Sequence, residues 1–278
     1  MNVLEVTGLV GAGAVAAGLL GSLTGLGGGI IIVPLLTLVF GVDIRYAVGA
    51  SLISVIATSS GSASAYVREG YSNIRIGMVL EIATTLGALL GAFLAGYIST
   101  SAIAIIFGLV LIYSAYLSIK PREEHALAHE SDALAVKLRM PNTYPVGSEM
   151  VQYGVHNIAG GFGLMGIAGV LSGLLGIGSG AVKVLAMDHV MRLPFKVSTT
   201  TSNFMIGVTA AASAGIYLNR GYIDPILAMP VVLGVLGGSL VGAKILGRSK
   251  PRSLRILFSI VIFVLAVEML YNGATGKL

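Results

Sequence analysis

Two glycine-rich motifs in this chain have the residue types and the spacing of a ligand-binding break in the backbone. The first is Thr24-Gly-Leu-Gly-Gly-Gly29, followed by Ile30-Ile-Ile-Val-Pro34, and the second is Gly176-Ile-Gly-Ser-Gly180. Glycine lets the backbone break and approach a ligand closely. A short helix after such a break starts with unpaired N–H groups and a positive dipole end, which suits an anion. For either motif alone, a tight turn or close helix packing explains the glycines equally well.

The two motifs belong to an internal repeat, because adding 151 to a residue number in the first half gives its counterpart in the second half. The same offset pairs Ser51 with Ser202, Thr58 with Thr209, Ser62 with Ser213, Tyr66 with Tyr217 and Tyr71 with Tyr222. Since the break occurs at the same place in both halves, we predict a substrate site where the two breaks meet near the membrane centre. Its candidate residues are Gly27, Gly28, Gly29, Ser51, Gly178, Ser179, Gly180, Lys183, Ser202 and Asn203.

Two charged residues lie inside apolar segments, where charge is costly and usually functional. Lys183 stands in the stretch Ala181-Val-Lys-Val-Leu185, and its counterpart in the first half is Ile32. Its ammonium either pairs with an anionic substrate, or reaches an aqueous vestibule or pairs with a backbone carbonyl. Glu81 lies about 10 Å from one end of its segment by helical rise. It is either a proton-coupling group or a neutral acid bonded to a neighbouring helix.

Hydroxyl side chains form a polar stripe in both halves. Ser51, Ser202 and Asn203 should lie near the glycine breaks, so we assign them to substrate binding. For the remaining hydroxyls we favour helix packing and bonds to the preceding turn; these are Thr58, Ser62, Thr209 and Ser213.

Composition excludes a soluble protein of ordinary type. The chain has 278 residues, of which 55% are hydrophobic and only 10% charged, and its mean hydropathy is +0.92. A soluble domain carries about 25% charged residues. The net charge of +5 arises from basic residues in short loops, so it predicts membrane topology rather than a nucleic-acid partner.

Apolar segments predict an all-α, polytopic integral membrane protein. A helix needs about 20 apolar residues to span a bilayer, so segments 28–40 and 180–190 are too short and indicate broken or re-entrant hairpins. The sequence thus predicts a membrane repeat in 1–119, a cytoplasmic linker in 120–155 and a second membrane repeat in 156–278. The predicted segments are 8–24, 28–40, 45–67, 74–97, 101–119, 157–175, 180–190, 197–219, 224–246 and 252–271.

Five segments per half is an odd number, so the second repeat should be inverted relative to the first. With both termini outside, the inner loops hold twelve basic residues and the outer side holds three, Arg45, Arg220 and Lys277. This bias favours a multi-pass protein of the plasma (inner) membrane with a cytoplasmic linker. Inverted repeats are typical of secondary transporters.

Other motifs indicate structure rather than chemistry. Asn73 and Asp224 are placed as helix N-caps, with Pro225 at a first helical position. Helix-packing faces are predicted at Gly87-x-x-x-Gly91 and Gly238-x-x-x-Gly242. In the linker, His125 and His129 are too few to predict a metal site, and an amphipathic surface helix is favoured there. We expect no metal and no cofactor.

The chain resembles the TauE/SafE family of sulfite-exporter membrane permeases. The resemblance rests on Gly25-Leu-Gly-Gly-Gly29 with Pro34, on Ala47-Val-Gly-Ala-Ser51, on Tyr66 with Gly70-Tyr71, and on the repeat of this order from Gly176. It implies transport of sulfite, sulfonates or related organosulfur anions. The second half departs from the pattern, with Ser179 between two glycines, Lys183 inside the motif and Leu185 in place of a proline.

We therefore predict a secondary carrier for small anions that works by alternating access, with the lipid bilayer and the anion as partners. An anion channel for the same substrates is the main alternative. An intramembrane enzyme is disfavoured, because the membrane segments contain no His-Glu-x-x-His motif and no Cys or His nucleophile pair. A purely structural membrane partner is a further alternative, and a homodimer is left open.

Overall fold

The computed structural model describes residues 3–24, 28–68, 70–119, 131–146, 149–246 and 251–277, and helices dominate it. The helical class predicted from the sequence is confirmed. Two helices continue into a π-helical turn, α2 into Leu35–Val39 and α8 into Ala186–Val190. The helix bounds are α1 Val3–Thr24, α2 Gly29–Pro34, α3 Ile44–Arg68, α4 Ile74–Leu94, α5 Thr100–Ile119, α6 Ala133–Lys137, α7 Ile158–Leu175, α8 Gly180–Leu185, α9 Phe195–Asn219, α10 Pro225–Leu246 and α11 Pro251–Thr275.

Helices α2, α3, α4 and α5 begin 151 residues before α8, α9, α10 and α11, respectively. The π-helical turn occurs in both halves, although only the first half has a proline, Pro34, immediately before it. The missing N–H of Pro34 is therefore not the cause of the turn, because Leu185 precedes the same turn in the second half.

Each short helix turns back along the long helix that precedes it. Gly28 lies against Gly18, and the side chain of Leu35 lies against Gly13, so α2 and its π-helical turn run antiparallel to α1. In the second half, Met191 follows the π-helical turn and contacts Gly161 in the first turns of α7. The pairs α1–α2 and α7–α8 are therefore helical hairpins, with their tips at the glycine motifs. Membrane re-entry of these hairpins stays a prediction.

Counterpart helices from the two halves pack against each other in opposite directions. In the pair α3–α9, the Ser59 hydroxyl donates to the Asn203 carbonyl, whereas Ile56, earlier in α3, lies near Gly207, later in α9. In the pair α5–α11, Gly108 contacts the Ala266 carbonyl, whereas Ser101 lies near Gly273. Both registers run in reverse, so each helix is antiparallel to its counterpart.

Glycines let α4 approach α7 closely, and α1 approach α10 in the same way. An added Cβ at Gly87 or Gly91 would collide with the backbone of Gly166 or Val170, and one at Gly238 would collide with Val15. Such approach is possible only without a side chain, as in small-residue faces of membrane helices. The predicted packing role of these three glycines is confirmed.

Large apolar side chains face outward along the long helices, while small and polar ones face inward. On α4, the exposed Ile82, Leu86 and Leu90 lie opposite the buried Thr84 and Ala88. Lipid, rather than water, suits such a surface. Within the described residues, two helices, Ile74–Leu94 and Ile158–Leu175, are long and apolar enough to cross a bilayer, and shorter apolar stretches occur in six further helices. The number of membrane crossings remains a prediction.

Part of the linker folds as a β-hairpin, which the sequence reading did not predict. Strand β1, Asn142–Val146, pairs antiparallel with β2, Glu149–Tyr153. Met140, Tyr153 and Val155 are buried against the beginnings of α4 and α9 and the end of the α8 hairpin arm. The linker end of the bundle is therefore closed by packed chain. The two linker histidines, His125 and His129, lie outside the described residues.

Asn73 joins the β-hairpin to the bundle at this linker end. Its side-chain oxygen accepts from the Ile76 N–H and caps α4, as predicted, while its amide donates to the Met140 carbonyl and the Tyr153 hydroxyl, both at 2.8 Å. Burial raises the pKa of Tyr153 to about 12, although the hydrogen bond from Asn73 acts in the opposite direction. The phenol is therefore neutral at physiological pH.

Two arginines serve as caps at the opposite end of the bundle. Arg45 donates to the carbonyls of Ala95 and Ile98, and Arg220 donates to the carbonyl of Ala92. These carbonyls lie at and beyond the C-terminus of α4, where the helix dipole favours positive charge. Both arginines of this end are thus engaged by α4.

Candidate functional site

The glycine tips of the two helical hairpins meet beside α3. The fully buried Ser51 hydroxyl donates to the Gly176 carbonyl at 2.8 Å and lies 3.4 Å from the Gly29 carbonyl. A Cβ added at Gly29 would lie 2.7 Å from the Ser51 hydroxyl and 3.2 Å from the Gly176 carbonyl. Ser51 is therefore in contact with both tips, and only glycine fits at position 29.

Ser202 occupies the corresponding position in the second half. Its hydroxyl lies 3.4 Å from the Gly180 carbonyl, the same separation as between Ser51 and Gly29. Asn203 is partly exposed, and its backbone carbonyl accepts from Ser59 at 2.6 Å. Of the remaining sequence-predicted residues, Gly28 packs on Val235 of α10, and Gly27 lies outside the described residues.

The second tip has a left-handed backbone that the first does not share at the matching position. Gly176 and Gly178 both have φ of +68°, and Ser179 has φ of +47°, whereas Gly28, the counterpart of Ser179, has φ of −68°. A non-glycine residue in this region costs about 1–2 kcal/mol. The Ser179 hydroxyl is buried and has no hydrogen-bond partner within the described residues. The strained backbone thus holds an unsatisfied polar atom at the tip.

Lys183 and Glu81, which the sequence treats as separate candidates, lie in one buried cluster. The Lys183 ammonium donates to the Thr209 hydroxyl at 2.5 Å, and Thr209 Oγ1 lies 2.6 Å from Glu81 Oε1. Thr85 donates to the same Glu81 oxygen at 3.2 Å. Lys183 and Thr209 are fully buried, and Glu81 is 8% exposed. The cluster therefore places a cation and a carboxylate on either side of one hydroxyl.

Thr209 is the site residue that the sequence reading missed, because it was assigned to helix packing. Its hydroxyl does contact its own helix, 2.9 Å from the Met205 carbonyl, as that reading expects. The contacts to Lys183 and Glu81 join α8, α9 and α4. Residue spacing along a single helix does not predict such contacts. An indication was present in the sequence, since intramembrane charges require partners.

Helix α8 contributes both to the contact between the glycine tips and to the cluster of Lys183, Thr209 and Glu81. The glycine tips and Ser51 lie at its beginning, and Lys183 follows Ser179 by four residues, which places both on one helix face. The Lys183 backbone N–H donates to the Ser179 carbonyl at 3.0 Å. The backbone N–H groups of α8 that precede Lys183 have no acceptor within the helix. This arrangement offers an anion backbone N–H groups, a hydroxyl and an ammonium.

No three His, Cys, Asp or Glu side chains among the described residues are grouped so that they could hold a metal ion. The polar groups of the site are instead hydroxyls, amides, one ammonium and one carboxylate. The hydroxyls, the amides and the ammonium are groups that bind an oxyanion by hydrogen bonds and charge.

Comparison with known proteins decides the family. A model of the family "Sulfite exporter TauE/SafE" matches residues 10–269. The chain belongs to this family. Membership makes it a membrane-embedded transporter and not an enzyme. The TauE/SafE resemblance read from the glycine motifs is confirmed.

Curated relatives of this TauE/SafE chain match along nearly their whole length. "Probable membrane transporter protein YunE" of Bacillus subtilis is 28% identical over 283 residues, covering 98% of this chain and 97% of that protein. "Probable membrane transporter protein MJ0441" of Methanocaldococcus jannaschii is 27% identical over 268 residues, covering 91% of each. A "Probable membrane transporter protein" of Xylella fastidiosa is 24% identical, covering 98% of each. No solved structure matches the chain.

Proposed function

We propose that this TauE/SafE chain is a secondary carrier of small sulfur-containing oxyanions, sulfite or sulfonates, that works by alternating access. The observation that carries the proposal is the position of Lys183. Its ammonium is fully buried and donates to the Thr209 hydroxyl. Lys183 follows by four residues the tip residue Ser179, whose buried hydroxyl has no hydrogen-bond partner within the described residues. A cation at membrane depth is expensive to keep unless it serves a ligand or a partner charge.

The substrate site in this proposal consists of the two tips and the groups next to them. Backbone N–H groups of the two glycine motifs and the Ser179 hydroxyl donate to the anion, and Lys183 supplies charge. Ser51, Ser202 and Asn203 lie next to the tips and add hydrogen bonds to the anion. Glu81 is the proton-coupling group.

The proposed architecture is two inverted repeats, with the termini outside and the linker in the cytoplasm. Antiparallel packing of α3 on α9 and of α5 on α11 supports it, because counterpart helices of an inverted repeat must run in opposite directions. The hairpins α1–α2 and α7–α8 then enter from opposite sides of the membrane. Rocking of one repeat against the other opens the tips to each side in turn.

Burial of the site favours a carrier over a channel. Ser51, Lys183 and Thr209 are each fully buried, so this conformation gives neither aqueous side access to them. A carrier passes through such a closed state in every cycle, whereas a conducting pore is open to both sides. Single-channel currents carried by sulfite would contradict the carrier.

Uptake of labelled sulfite and methanesulfonate into vesicles containing the purified chain tests the proposal. We expect saturable uptake, and a loss of at least about tenfold in Lys183→Ala, because truncating one partner of a buried charge pair costs about 2–5 kcal/mol. Gly28→Leu should also lower uptake, since a Cβ at this position would lie 2.8 Å from Val235 Cγ1.

Lys196→Ala is the matched control, because Lys196 is an exposed lysine of the same half, next to Tyr71. It should transport normally. The site assignment is wrong if Lys183→Ala and Gly28→Leu, both folded in detergent, transport as well as the parent chain.

A further inference from the structure

The Glu81 carboxylate is the counter-charge of Lys183, a role that a bound anion could take over. One carboxylate oxygen contacts Thr209 and Thr85, while the other, Oε2, is buried and has no partner within the described residues. A buried carboxylate with an unsatisfied oxygen pays a desolvation penalty that protonation removes. The structure therefore shows a buried carboxylate that is held through one oxygen, while its second oxygen has no partner among the described residues.

Thr209 has two alternatives for its single hydroxyl proton. It lies 2.6 Å from Glu81 Oε1 and 2.9 Å from the Met205 carbonyl, and it accepts from Lys183. With Glu81 ionised, the hydroxyl donates to the carboxylate. Once Glu81 is protonated, the acid donates to Thr209, and the hydroxyl proton turns to Met205. Thr209 therefore stays bonded in both states, whereas Lys183 loses the carboxylate as its counter-charge.

Only one half of the molecule carries these charges. At the offset of 151 residues, the counterparts of Lys183, Thr209 and Glu81 are Ile32, Thr58 and Val232, so the threonine is repeated and its two charged neighbours are not. Thr58 bonds to carbonyls of its own helix, Ser54 and Val55. The first half thus provides an internal reference, in which the residues at the positions matching Lys183 and Glu81 are uncharged.

The cost of burying a net charge determines which ligands this cluster can bind. The ammonium and the carboxylate sum to zero, and an uncompensated buried charge is strongly unfavourable. An anion that binds beside Lys183 makes the cluster negative unless a proton arrives with it. With an anion bound and Glu81 protonated, the sum is again zero. Both the empty and the fully loaded cluster are neutral, and each half-loaded state carries a buried charge.

We propose that Glu81 and Lys183, joined by Thr209, are an exchange pair, in which a bound anion replaces the Glu81 carboxylate as the counter-charge of Lys183. One proton binds Glu81 for each negative charge bound beside Lys183, so the proton and the anion cross together. The proton comes from the side to which the site is open and leaves with the anion on the other side. Thr209 is a positioning residue in this scheme, because it connects the two charges without carrying either. The inference rests on the carrier function proposed above.

Other titratable groups on the packed elements define the competing sources of pH dependence. Helix α7 has none. Asp188, in the π-helical turn after α8, is buried, and its carboxylate lies 3.9 Å from the imidazole of the exposed His189. This pair therefore needs its own control. The remaining groups on α3, α4 and α9 whose side chains are described are Arg45, Tyr46, Arg75, Lys196 and Tyr217.

Proton and anion movement measured together test the exchange pair. Vesicles containing the full chain and an internal pH dye, clamped at zero potential with potassium and valinomycin, receive a gradient of methanesulfonate. This strong-acid anion keeps one charge at every pH used. We expect one proton to enter per anion, and uptake to fall as the pH rises, because the proton that must bind with the anion becomes scarcer.

Variants separate the roles of the three residues. Glu81→Gln mimics the protonated acid, so it should move methanesulfonate without protons and without pH dependence. Thr209→Val should lose the pH dependence, Thr209→Ser should restore it, and Thr58→Val, Asp188→Asn and His189→Gln should keep it. Fluorescence-detected size exclusion verifies that each variant is folded.

The outcomes are distinct. Methanesulfonate entry into parent-chain vesicles without protons overturns the exchange pair and leaves the carrier intact, as does pH dependence that survives Glu81→Gln. Failure of the parent chain to move either methanesulfonate or sulfite at any pH overturns the carrier and the exchange pair together.

Discussion

Asn73 uses every polar atom of its side chain, together with its backbone N–H, in buried hydrogen bonds. Its backbone N–H donates to the Thr201 hydroxyl at 3.0 Å, and its side chain caps α4 and binds the β-hairpin. This one residue therefore connects α4, α9 and the linker. A buried polar group that loses its partner costs about 1–3 kcal/mol, so the connection should be measurable.

We predict that Asn73→Ala lowers the free energy of unfolding by about 2–3 kcal/mol, since it removes a helix cap and leaves the Met140 carbonyl and the Tyr153 hydroxyl without their donor. Heating followed by size exclusion measures the change as a lower midpoint. Asn142→Ala is the control, because Asn142 is exposed and its side chain accepts only from the neighbouring Thr143 N–H. Equal midpoints for the two variants would refute this role of Asn73.

Single residues differ in how far the sequence predicts their role. Asn73 and Asp224 are recognisable as caps, and the structure confirms both, because capping depends on residues two or three positions away. Ser51 is placed near the tips by the repeat. Thr209 is not recognisable, since its partners come from two other helices and the sequence contains no record of that approach.

Close helix contact in this protein depends on glycines from both sides of each interface, since an added Cβ at Gly169 or Gly173 of α7 would also collide with the backbone of α4. Along α4 and α7, Gly87 and Gly91 press on backbone of the partner, while Gly166 and Gly163 have nothing within 4 Å of an added Cβ. The four-residue spacing of Gly87 and Gly91 predicts their packing role from the sequence, whereas Gly163 and Gly166 are three residues apart. The packed structure adds which backbone atoms each contacting glycine meets.

We predict opposite effects for two glycine substitutions that face each other across this interface. Gly87→Ala places a methyl group into the Gly166 backbone and forces α4 away from α7. This overpacking should lower the free energy of unfolding by about 1–3 kcal/mol, and the thermal midpoint with it. Gly166→Ala meets open space, so it should be neutral or mildly stabilising, because alanine is the better helix former. A Gly87→Ala variant as stable as Gly166→Ala would show that the helices are not in close contact.

Among the elements, the helices were predictable and the β-hairpin was not. Long apolar runs predict helices directly, and two apolar runs that are too short to span a bilayer predict the hairpin arms. Strand β1 contains Pro145, which weakens any sequence-based strand prediction. Its pairing depends instead on burial of Tyr153 and Met140 against the bundle, which a local pattern does not reveal.

The whole molecule combines a symmetric frame with an asymmetric charge. Counterpart helices pack antiparallel, and the interfaces α1–α10 and α4–α7 repeat each other through glycines at matching positions. Lys183 and Glu81 break this symmetry. The frame explains how a carrier of this kind would reach two equivalent conformations, and the single charge pair explains how one anion at a time would be bound.

Arg45 and Arg220 fit this frame as structural cations. They lie at the end of the bundle opposite the linker, where the topology prediction places few basic residues, and both bond to carbonyls at the C-terminal end of α4. Their helix-capping contacts explain why these cations remain on the sparsely charged side.

The account as a whole depends on the packing of the second glycine tip against α3, where Ser51 also contacts the first tip. Since the chain has no cysteine, a Val48→Cys and Gly176→Cys pair gives the only thiols. A Cβ at Gly176 would lie 2.7 Å from Val48 Cγ1 and 3.2 Å from Val48 Cα, which is within reach of a disulfide, whose Cβ separation is about 3.8 Å. Gly176 has φ of +68°, so the cysteine there is strained, and folding of the reduced double variant is verified first. Gly163→Cys with Val48→Cys is the control pair, because nothing lies within 4 Å of a Cβ at Gly163.

The decisive measurement is oxidation of the first pair in vesicles, followed by sulfite uptake. We predict that the bond forms, that uptake stops, and that a reducing agent restores it, while the control pair forms no bond. A folded protein whose first pair never joins, or one that transports at the normal rate while joined, would contradict the account.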